Sequence, residues 1–346
     1  MMPHQSGFSV LQSVYKKDNP AFFSESLQSI ADNTLLPEEI VLVKDGELTP
    51  QLEDVIHQWQ DKLPLRVVGY ERNQGLGFAL NYGLQFVKTD LVARMDSDDI
   101  CFPDRFEKQV LRFEIDPALE ILGGGIEEFY VASDGKETRR IRLYPKTTEE
   151  KSPSLYKGIP LAHPTLMVKT VLLKDFRYSV KTRCNEDLEL YFRLLRTNHT
   201  IKTIQEPLLR FRITDATFSR RSFSKAWCEY KFYSRNLREI HGFSKNDLLP
   251  LLRLVSRMLP KSLNKRLYMS QKRNNLFKED IVKLQYLSGK VFVKNGHVFS
   301  ALFQFEENGE QLIKAVQLDG VASSQIEIPL SQVTLLSLPT SCEVQL

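Results

Sequence analysis

The strongest chemical signal in the sequence is a group of aspartates that follows a short apolar run. In RMDSDDICFPDR, Asp96, Asp98 and Asp99 come directly after a strand predicted over residues 91–95. Three carboxylates so close together repel one another unless a cation or hydrogen-bond donors lie among them. Mg²⁺ and Mn²⁺ prefer oxygen ligands, whereas the alternative is a solvated acidic turn that caps the next helix. A position at the carboxyl end of a predicted parallel strand favours the metal site.

A second acidic pair opens an amphipathic helix. In CNEDLELYFRLL, Asn185 is a predicted N-cap, and Glu186 and Asp187 lie in the first turn. Acids at this position complement the helix dipole, which is a purely structural role. The functional alternative is that the same dipole keeps Asp187 ionised, ready to accept a proton from a hydroxyl nucleophile. The segment by itself favours the structural role.

Two further polar residues are weaker candidates. Asp45 ends a predicted strand, where a carboxylate accepts hydrogen bonds from a nucleobase or ribose, although an acid in a turn is the commoner case. His163 in LAHPTLMV is either a contact to a diphosphate or an ordinary loop histidine. The glycines of NQGLGFALNYGL lack the GxGxxG spacing, which disfavours a Rossmann dehydrogenase. Neither Gly-x-Ser-x-Gly nor a P-loop occurs, which excludes hydrolases and NTPases that depend on those motifs.

The elements that position these residues alternate between strand and helix along the first 116 residues. Apolar β-rich runs and helical spacing predict strands over 8–15, 39–46, 65–70 and 90–96, and helices over 19–30, 52–60 and 76–87. Strands separated by helices of this length predict βαβ units and a parallel sheet. Ligands of such sheets bind beyond the carboxyl ends of the strands.

The pattern is mixed beyond residue 116. ILGGGIEEFYV and HPTLMVKT are predicted strands, and EDLELYFRLLRTN is a predicted amphipathic helix. The β-rich run GKVFVKNGHVFSALFQF contains an Asn-Gly dipeptide, which predicts a hairpin. We therefore expect three parts: a catalytic domain over 1–220, a basic helical segment over 221–285, and a β-rich module of unassigned role over 286–346.

The composition is that of an ordinary folded protein. Of 346 residues, 42% are hydrophobic and 26% charged, which excludes a disordered or collagen-like chain. The four cysteines have no CxxC spacing and predict neither a disulfide framework nor a zinc site. The N-terminus has no signal pattern, and no apolar run of about 18 residues occurs. A cytoplasmic location is the expectation.

The net charge of +4 conceals a basic segment. Residues 220–273 contain 14 Lys and Arg against three acids, a net +11, which leaves −7 for the rest of the chain. Within this segment, apolar residues recur at helical spacing at Leu248, Leu251, Leu252, Val255 and Leu259. The pattern fits two interpretations equally well. One is a helix that contacts an anionic membrane surface, and the other is a helix packed on the catalytic domain with a solvated basic face. Nucleic-acid binding is not expected, because no reader motif occurs.

Six of these motifs, taken in order, resemble the family 2 glycosyltransferases. FSVLQSVYKKD, IVLVKDG, NQGLGFALNYGL, MDSDD with PDR, HPTLMV and NED span roughly residues 6–215. The resemblance is to the bacterial capsule and exopolysaccharide branch, which includes the amylovoran-type transferases. It implies an α/β fold of the GT-A type, which is a Rossmann-like, mostly parallel sheet flanked by helices. It also implies a sugar-nucleotide donor, a divalent metal (Mn²⁺ or Mg²⁺) and inversion at the anomeric carbon.

The resemblance also implies roles for the acidic residues. Asp96 and Asp98 match the family's Asp-x-Asp pair, with Asp96 near the ribose, Asp98 on the metal and Asp99 adjacent. Asp187 matches the catalytic base, and Glu186 is its neighbour near the acceptor. Both acids of the helix thereby gain a functional interpretation that their own segment did not supply.

Other matching positions lie on the nucleotide side of the site. The resemblance implies that Ser13 and Tyr15 line the nucleoside pocket and that Asp45 faces the base, while Arg210 and Arg212 in LLRFRITD resemble basic residues that touch phosphate. The chain departs from the family at two places here. The family commonly has two acids before the glycine that follows Asp45, where this chain has Lys44 and Asp45. It also has a small residue and an asparagine after the first strand, where this chain has VYK.

The implied function is a metal-dependent inverting glycosyltransferase of surface polysaccharide synthesis. The donor is a nucleotide sugar, expected to be a UDP-sugar, and the acceptor is a hydroxyl of a glycan or lipid-linked glycan. The expected location is the cytoplasm, with peripheral contact at the inner face of the cytoplasmic membrane. Two alternatives stay open: a sugar-nucleotide-binding protein without catalysis, and a nucleotidyltransferase. The second normally has a Gly-rich basic loop where this chain has YKKDNP.

Overall fold

The computed structural model describes most of the chain. The described residues are 7–131, 135, 137–180, 185–214 and 223–258, with strand segments at 281–282, 291–294, 297–307, 310–317, 325–329 and 334–335. The chain divides into two compact units. The first comprises Met1–Thr138 and Arg142–Asp280, and the second comprises Arg139–Ile141 and Ile281–Leu346.

The first unit opens with the predicted alternation of strands and helices. Its elements are β1 (Phe8–Val14), α1 (Pro20–Ala31), β2 (Glu39–Asp45), α2 (Pro50–Gln60), β3 (Leu65–Tyr70), α3 (Leu76–Leu84) and β4 (Leu91–Met95). The strands lie in the order β4-β1-β2-β3, and every neighbouring pair among them is parallel. The predicted βαβ organisation is therefore confirmed.

Helices cover both faces of this sheet. Successive side chains of β1 alternate between the faces: Val10 packs in the cluster that contains Phe23 of α1, and Leu11 packs in the cluster that contains Leu80 of α3. Helix α3 lies very close to the sheet at Gly83, where a Cβ would come 2.5 Å from a methyl group of Val43. A larger residue at Gly83 would push α3 away from the strands.

The remaining elements of the sheet make it mixed. They are β5 (Ile100–Cys101), α4 (Arg105–Ile115), β6 (Ile121–Val131), β7 (Glu137–Arg142), β8 (Thr147–Thr148), β9 (Met167–Lys169), α5 (Thr170–Phe176), α6 (Glu186–Arg196) and β10 (Ile201–Ile213). Strand β9 lies between β4 and β6 and is antiparallel to both, whereas β10 is parallel to β6. The predicted strand in HPTLMVKT is reduced to β9, because a 3₁₀ turn at His163–Thr165 precedes it.

Two helices follow the sheet of the first unit, and the second unit contains a sheet of antiparallel strands. The helices are α7 (Phe223–His241) and α8 (Leu248–Met258). The later strands are β11 (Ile281–Val282), β12 (Val291–Lys294), β13 (His297–Glu307), β14 (Glu310–Gln317), β15 (Gln325–Pro329) and β16 (Thr334–Leu335). Five of them form a sheet in the order β15-β14-β13-β12-β16. Lys294 pairs with His297, which confirms the predicted hairpin.

The expectations for the cysteines, for membrane-spanning helices and for the domain boundaries compare with the structure as follows. Cys228 is disulfide-bonded, whereas Cys101 is free and buried. A CxxC spacing reveals only cysteines that are close in sequence, so it could not predict this bond. Cys184, Cys342 and Leu259 lie outside the described residues. None of the described helices combines the length and apolar character needed to cross a bilayer. The three-part division at residues 220 and 285 stays a prediction.

Candidate active site

The aspartates that follow β4 form one compact cluster. Carboxylate oxygens of Asp96, Asp98 and Asp99 all lie within 4.8 Å of one another. Asp99 is buried, and the other two are half-buried. The main-chain carbonyl of Asp96 accepts hydrogen bonds from Gln12 Nε2 at 3.0 Å and from Ser26 Oγ at 2.9 Å. These bonds tie the start of the cluster to β1 and α1.

Burial and like charges act together on the carboxyl group of Asp99. Burial, together with the charges of Asp96 and Asp98, holds the pKa of its carboxyl well above the ordinary range. Its Oδ1 accepts a hydrogen bond from the Arg212 main-chain amide at 2.9 Å, whereas Oδ2 is buried with no hydrogen-bond partner in the described part of the chain. An oxygen-only donor set with an unsatisfied buried oxygen fits a hard divalent cation.

Asp96 also borders a cleft of about 880 Å³. Its lining comes from the start of α3, the ends of β4 and β10, the 3₁₀ turn before β9, and the start of α6. Of the sequence-predicted site residues, the cleft brings together Asp96, His163, Glu186 and Asp187. The two acidic motifs of the sequence therefore face one space, although they lie about 90 residues apart in the chain.

Asp187 lies in the first turn of α6, and burial dominates its chemistry. Burial and the neighbouring charge of Glu186 raise the pKa of its carboxyl to about 6, against the opposing effects of the Leu188 amide and Arg94. With this pKa the group is still mostly ionised at neutral pH, as the functional interpretation of the sequence expected. A carboxyl with a pKa near 6 suits general base catalysis at neutral pH.

Asn185 stands at the N-cap position of α6 but does not cap the helix. Its backbone is left-handed, with φ 59° and ψ 54°, and its side chain makes no capping hydrogen bond. The side-chain nitrogen is buried and lacks a hydrogen-bond partner among the residues described. Asparagine tolerates this conformation better than most residues. The expected capping role is therefore wrong, and Asn185 lines the cleft instead.

His163 is a buried, neutral wall of the same cleft. Its Nε2 lies 2.8 Å from the Tyr178 hydroxyl. Burial and the nearby charge of Arg94 hold the pKa of the imidazole well below its usual value. A neutral histidine offers a hydrogen bond rather than a positive charge to anything that enters.

Asp45 does not line this cleft but holds a loop that does. Its carboxylate accepts hydrogen bonds from the Tyr70 hydroxyl at 2.9 Å, the Gln74 amide at 2.7 Å, the Asn73 side chain at 2.8 Å and the Gly75 amide at 3.1 Å. Gly75, with φ 91°, then begins α3 in a conformation that favours glycine. The buried carboxylate thus shapes the loop between β3 and α3.

The remaining predicted residues lie outside the lining of the cleft. Arg210 pairs with Glu127 at 2.9 Å and with Glu137 at 2.6 Å, so both partners of this cation are acids of the chain. Arg212 pairs with Glu25, and its Nε donates to the main-chain carbonyl of Asp98 at 2.8 Å. The other four are Ser13, Tyr15, Asp98 and Asp99. Contacts of the two arginines to phosphate stay a prediction.

Comparison with known proteins identifies the family of this chain. Residues 9–175 match glycosyl transferase family 2. An uncharacterized glycosyltransferase of Haemophilus influenzae is 38% identical over 269 residues, which are 76% of this chain and 98% of the relative. The chain belongs to glycosyl transferase family 2.

Two further relatives of this glycosyltransferase carry more specific names. The amylovoran biosynthesis glycosyltransferase AmsE of Erwinia amylovora is 33% identical, with 75% of this chain and 97% of the relative covered. The UDP-Gal:alpha-D-GlcNAc-diphosphoundecaprenol beta-1,3-galactosyltransferase of Escherichia coli is 32% identical, with 75% and 94% covered. The resemblance to amylovoran-type transferases is confirmed, and the chain is a glycosyltransferase, which decides against a nucleotidyltransferase.

The GT-A fold is also confirmed. The mannosyltransferase PcManGT from Pyrobaculum calidifontis, solved with GDP-Man and Mn²⁺, matches with a TM-score of 0.50 and 15% identity. The match covers 80% of this glycosyltransferase and 84% of that chain. At this identity the likeness concerns the fold, which is a mostly parallel mixed sheet flanked by helices.

Sequence reasoning missed Arg94 as a residue of this glycosyltransferase's cleft. Arg94 is 4% exposed, lines the cleft and pairs with Asp96. Its Nε and Nη1 are buried and find no hydrogen-bond partner within the described residues. The one sequence signal was a charged residue inside the otherwise apolar run LVARM, where a buried strand normally excludes charge.

Proposed function

We propose that this enzyme is a metal-dependent inverting hexosyltransferase of surface polysaccharide synthesis. It moves a sugar from a UDP-sugar to a hydroxyl of a glycan or lipid-linked glycan. The observation that carries the proposal is the cleft that contains both Asp96 of the aspartate cluster and Asp187. The names of the Erwinia and Escherichia relatives support polysaccharide synthesis, a UDP-sugar donor and a diphosphate-lipid acceptor.

Asp98 and Asp96 are the proposed ligands of a Mn²⁺ or Mg²⁺ ion, with Asp99 beside them. When bound, the ion neutralises negative charge that develops on the departing nucleoside diphosphate. Arg94 and Arg212 prepare these acids. Arg94 pairs with the Asp96 carboxylate, while Arg212 donates to the main-chain carbonyl of Asp98 and to the side-chain carboxylate of Asp99. The cluster is thereby fixed before the donor binds.

Asp187 is the proposed general base. It accepts the proton of the acceptor hydroxyl, whose oxygen forms a bond to the anomeric carbon on the face opposite the diphosphate. The bond between that carbon and the diphosphate oxygen breaks, and the nucleoside diphosphate leaves with the electron pair. Glu186 borders the acceptor and keeps the pKa of Asp187 high enough to accept a proton.

The nucleotide lies on the side of β1 and β2 in this proposal. Ser13 and Tyr15 at the end of β1 line the nucleoside pocket. Asp45 acts on the nucleobase side of the pocket through the loop that it holds, since its carboxylate oxygens already accept hydrogen bonds from four donors. His163 borders the diphosphate as a neutral group. The lipid-linked acceptor brings the enzyme to the inner face of the cytoplasmic membrane as a peripheral protein.

A transfer assay with a panel of UDP- and GDP-sugars tests this function. The acceptor is a sugar diphosphate on a short lipid, and product formation and anomeric configuration are followed by NMR with Mn²⁺ or with a chelator. We expect transfer from a UDP-sugar, inversion, and loss of turnover in the chelator. Retention of configuration, or full activity in the chelator, contradicts the mechanism.

Substitution of the proposed metal ligand gives an independent check. Asp98→Ala should abolish the Mn²⁺-dependent thermal stabilisation by the donor, because the cluster loses a ligand oxygen. Asp54→Ala, which removes an exposed acid from α2, is the matched control and should behave as the wild type. An Asp98→Ala protein that still shows a Mn²⁺-dependent shift would remove Asp98 from the metal site.

A further inference from the structure

Helix α8 carries its apolar stripe on the outside of the protein. Leu248, Leu251, Leu252 and Val255 are 55%, 40%, 40% and 51% exposed, respectively. They are the residues for which the sequence left packing and membrane contact equally open. Their exposure shows that this stripe is not the face by which the helix packs.

The opposite face of α8 makes the attachment. Pro250 and Leu254 are buried, and the Arg253 guanidinium lies 5.0 Å from the centre of the Tyr233 ring while donating to the Lys157 carbonyl. Because these contacts fix the rotation of the helix, the stripe formed by the four exposed residues cannot turn inward without breaking them. We call the exposed residues Leu248, Leu251, Leu252 and Val255 the outer face of α8.

Exposed aromatic rings with basic partners also occur on α7 and in the link between α7 and α8. Phe243, in the link between α7 and α8, is 86% exposed, and the Arg238 guanidinium lies 4.8 Å from its ring. On α7, Lys231 lies 5.3 Å from the ring of Trp227, which is also exposed. Amphipathic rings and long basic side chains are the residues that anchor proteins at membrane interfaces.

Charge selects the occupant of this surface. Residues 223–258 contain seven Lys and Arg against three acids, within the segment that totals +11. A second copy of the chain would bring this net positive segment against itself, because a two-fold contact is self-complementary. Anionic lipid instead attracts basic side chains near its surface. We propose that the outer face of α8 docks into the headgroup boundary of an anionic lipid bilayer.

The docking face belongs to the same helical layer as the proposed base. Helix α6, which begins with Glu186 and Asp187, packs on α7: the ring of Phe192 lies 5.9 Å from Phe232 and 5.7 Å from Tyr233. The inference rests on the proposed function only for its purpose, which is to present a lipid-linked acceptor to the cleft. Its physical basis is the exposure and charge of α7 and α8.

Vesicle flotation of the complete protein tests the docking. We use phosphatidylcholine vesicles with and without about a third of phosphatidylglycerol, at low salt and at about 0.5 M salt. The wild type should float with the anionic vesicles at low salt, and less at high salt. Leu251→Gln with Leu252→Gln should weaken binding by about tenfold per leucine, since each loses most of its apolar burial. Leu111→Gln with Val171→Gln, at exposed apolar positions of α4 and α5, is the matched control and should float as the wild type.

Each result bears on one of the two proposals. A wild type that floats with neither vesicle, or a Leu251/Leu252 variant that floats undiminished, overturns the docking. If sedimentation without lipid shows a dimer for the wild type and a monomer for the Leu251/Leu252 variant, the outer face instead binds a second copy of the chain. Flotation needs no donor or acceptor, so a protein that floats without transferring sugar counts only against the proposed function. Transfer to a soluble acceptor by the Leu251/Leu252 variant should equal that of the wild type.

Discussion

Burial and the adjacent Glu186 raise the pKa of the Asp187 carboxyl to about 6, whereas an ordinary aspartate has a pKa of about 3.9. At neutral pH the group is still mostly ionised, and it binds a transferred proton more firmly than an exposed aspartate would. The same placement in a helix's first turn would suit a structural role equally well. Substitution separates the two roles. Loss of a catalytic base lowers turnover but leaves donor binding intact, whereas loss of a structural residue affects both.

Asp187→Asn should therefore lower kcat by about 10²- to 10⁴-fold and leave donor affinity nearly unchanged. The amide keeps the shape of the side chain but cannot accept the proton. Calorimetric titration with donor and Mn²⁺, beside a turnover assay, measures both quantities. Glu189→Gln in the same turn, which disturbs only the pair with Arg193, is the control. An equal loss of donor affinity in Asp187→Asn would leave Asp187 as a helix-start residue.

The pH dependence of kcat/KM tests the origin of the raised pKa. The base acts when deprotonated, so activity should fall as the pH drops below about 6. Glu186→Gln removes a negative neighbour that raises the pKa of Asp187, so the acidic limb should move to lower pH. Glu229→Gln should move it in the same direction by less, since Glu229 acts more weakly on Asp187. An acidic limb that stays in place in Glu186→Gln would detach it from Asp187.

At the scale of elements, the loop between β3 and α3 depends on one buried carboxylate. Asp45→Asn should lower the free energy of unfolding by about 2–3 kcal/mol, because hydrogen bonds to a charged acceptor become weaker or are lost. Faster hydrogen exchange over residues 73–77 and a higher KM for the donor should accompany it. Urea unfolding and exchange measure these effects.

The neighbouring Lys44 supplies the control for Asp45. Lys44→Gln breaks a half-exposed ion pair with Glu53, of 2.9 Å, which should cost less than about 1 kcal/mol. If Asp45→Asn unfolds like Lys44→Gln and exchange over 73–77 is unchanged, the carboxylate does not organise the loop.

The sequence was informative about elements wherever local period and length agreed. Strands β1 to β4 and helices α1 to α3 follow the predicted order, since each short apolar run has a helix of ordinary length after it. Strand β10 was missed, because Pro207 interrupts its run and the register with β6 shifts on both sides of that proline. A long parallel partner such as β6 stabilises a strand that local sequence disfavours.

The site was predictable to the same extent. Asp96 was predicted as a site residue from its position at a strand end, whereas Asp187 gained its predicted role only from the family resemblance. The loop-holding bonds of Asp45 and the pairing of Arg94 with Asp96 were not, because their partners depend on how the elements pack. Side-chain partners at long range are the part that patterns along a chain do not report.

At the scale of the whole molecule, the transferase machinery occupies only part of the chain. The relatives are covered over 94–98% of their own lengths by 75–76% of this chain, so about a quarter of it has no counterpart in them. The net charge divides as well: the segment 220–273 is +11 and the remainder is −7. The residues proposed for donor binding, proton transfer and membrane contact all belong to the first unit.

A chain that ends at residue 280 should therefore keep the whole reaction. It retains the family match over residues 9–175, the aspartate cluster, Asp187 and both basic helices. We expect cooperative thermal unfolding, a Mn²⁺-dependent shift with the donor within about 3 °C of that of the full chain, and unchanged kcat. A chain that ends at residue 247 is the control: it lacks α8, so Tyr233 loses its contact with Arg253 and stability should fall. Loss of cooperative unfolding in the chain ending at 280 would show that the second unit is needed for the catalytic fold.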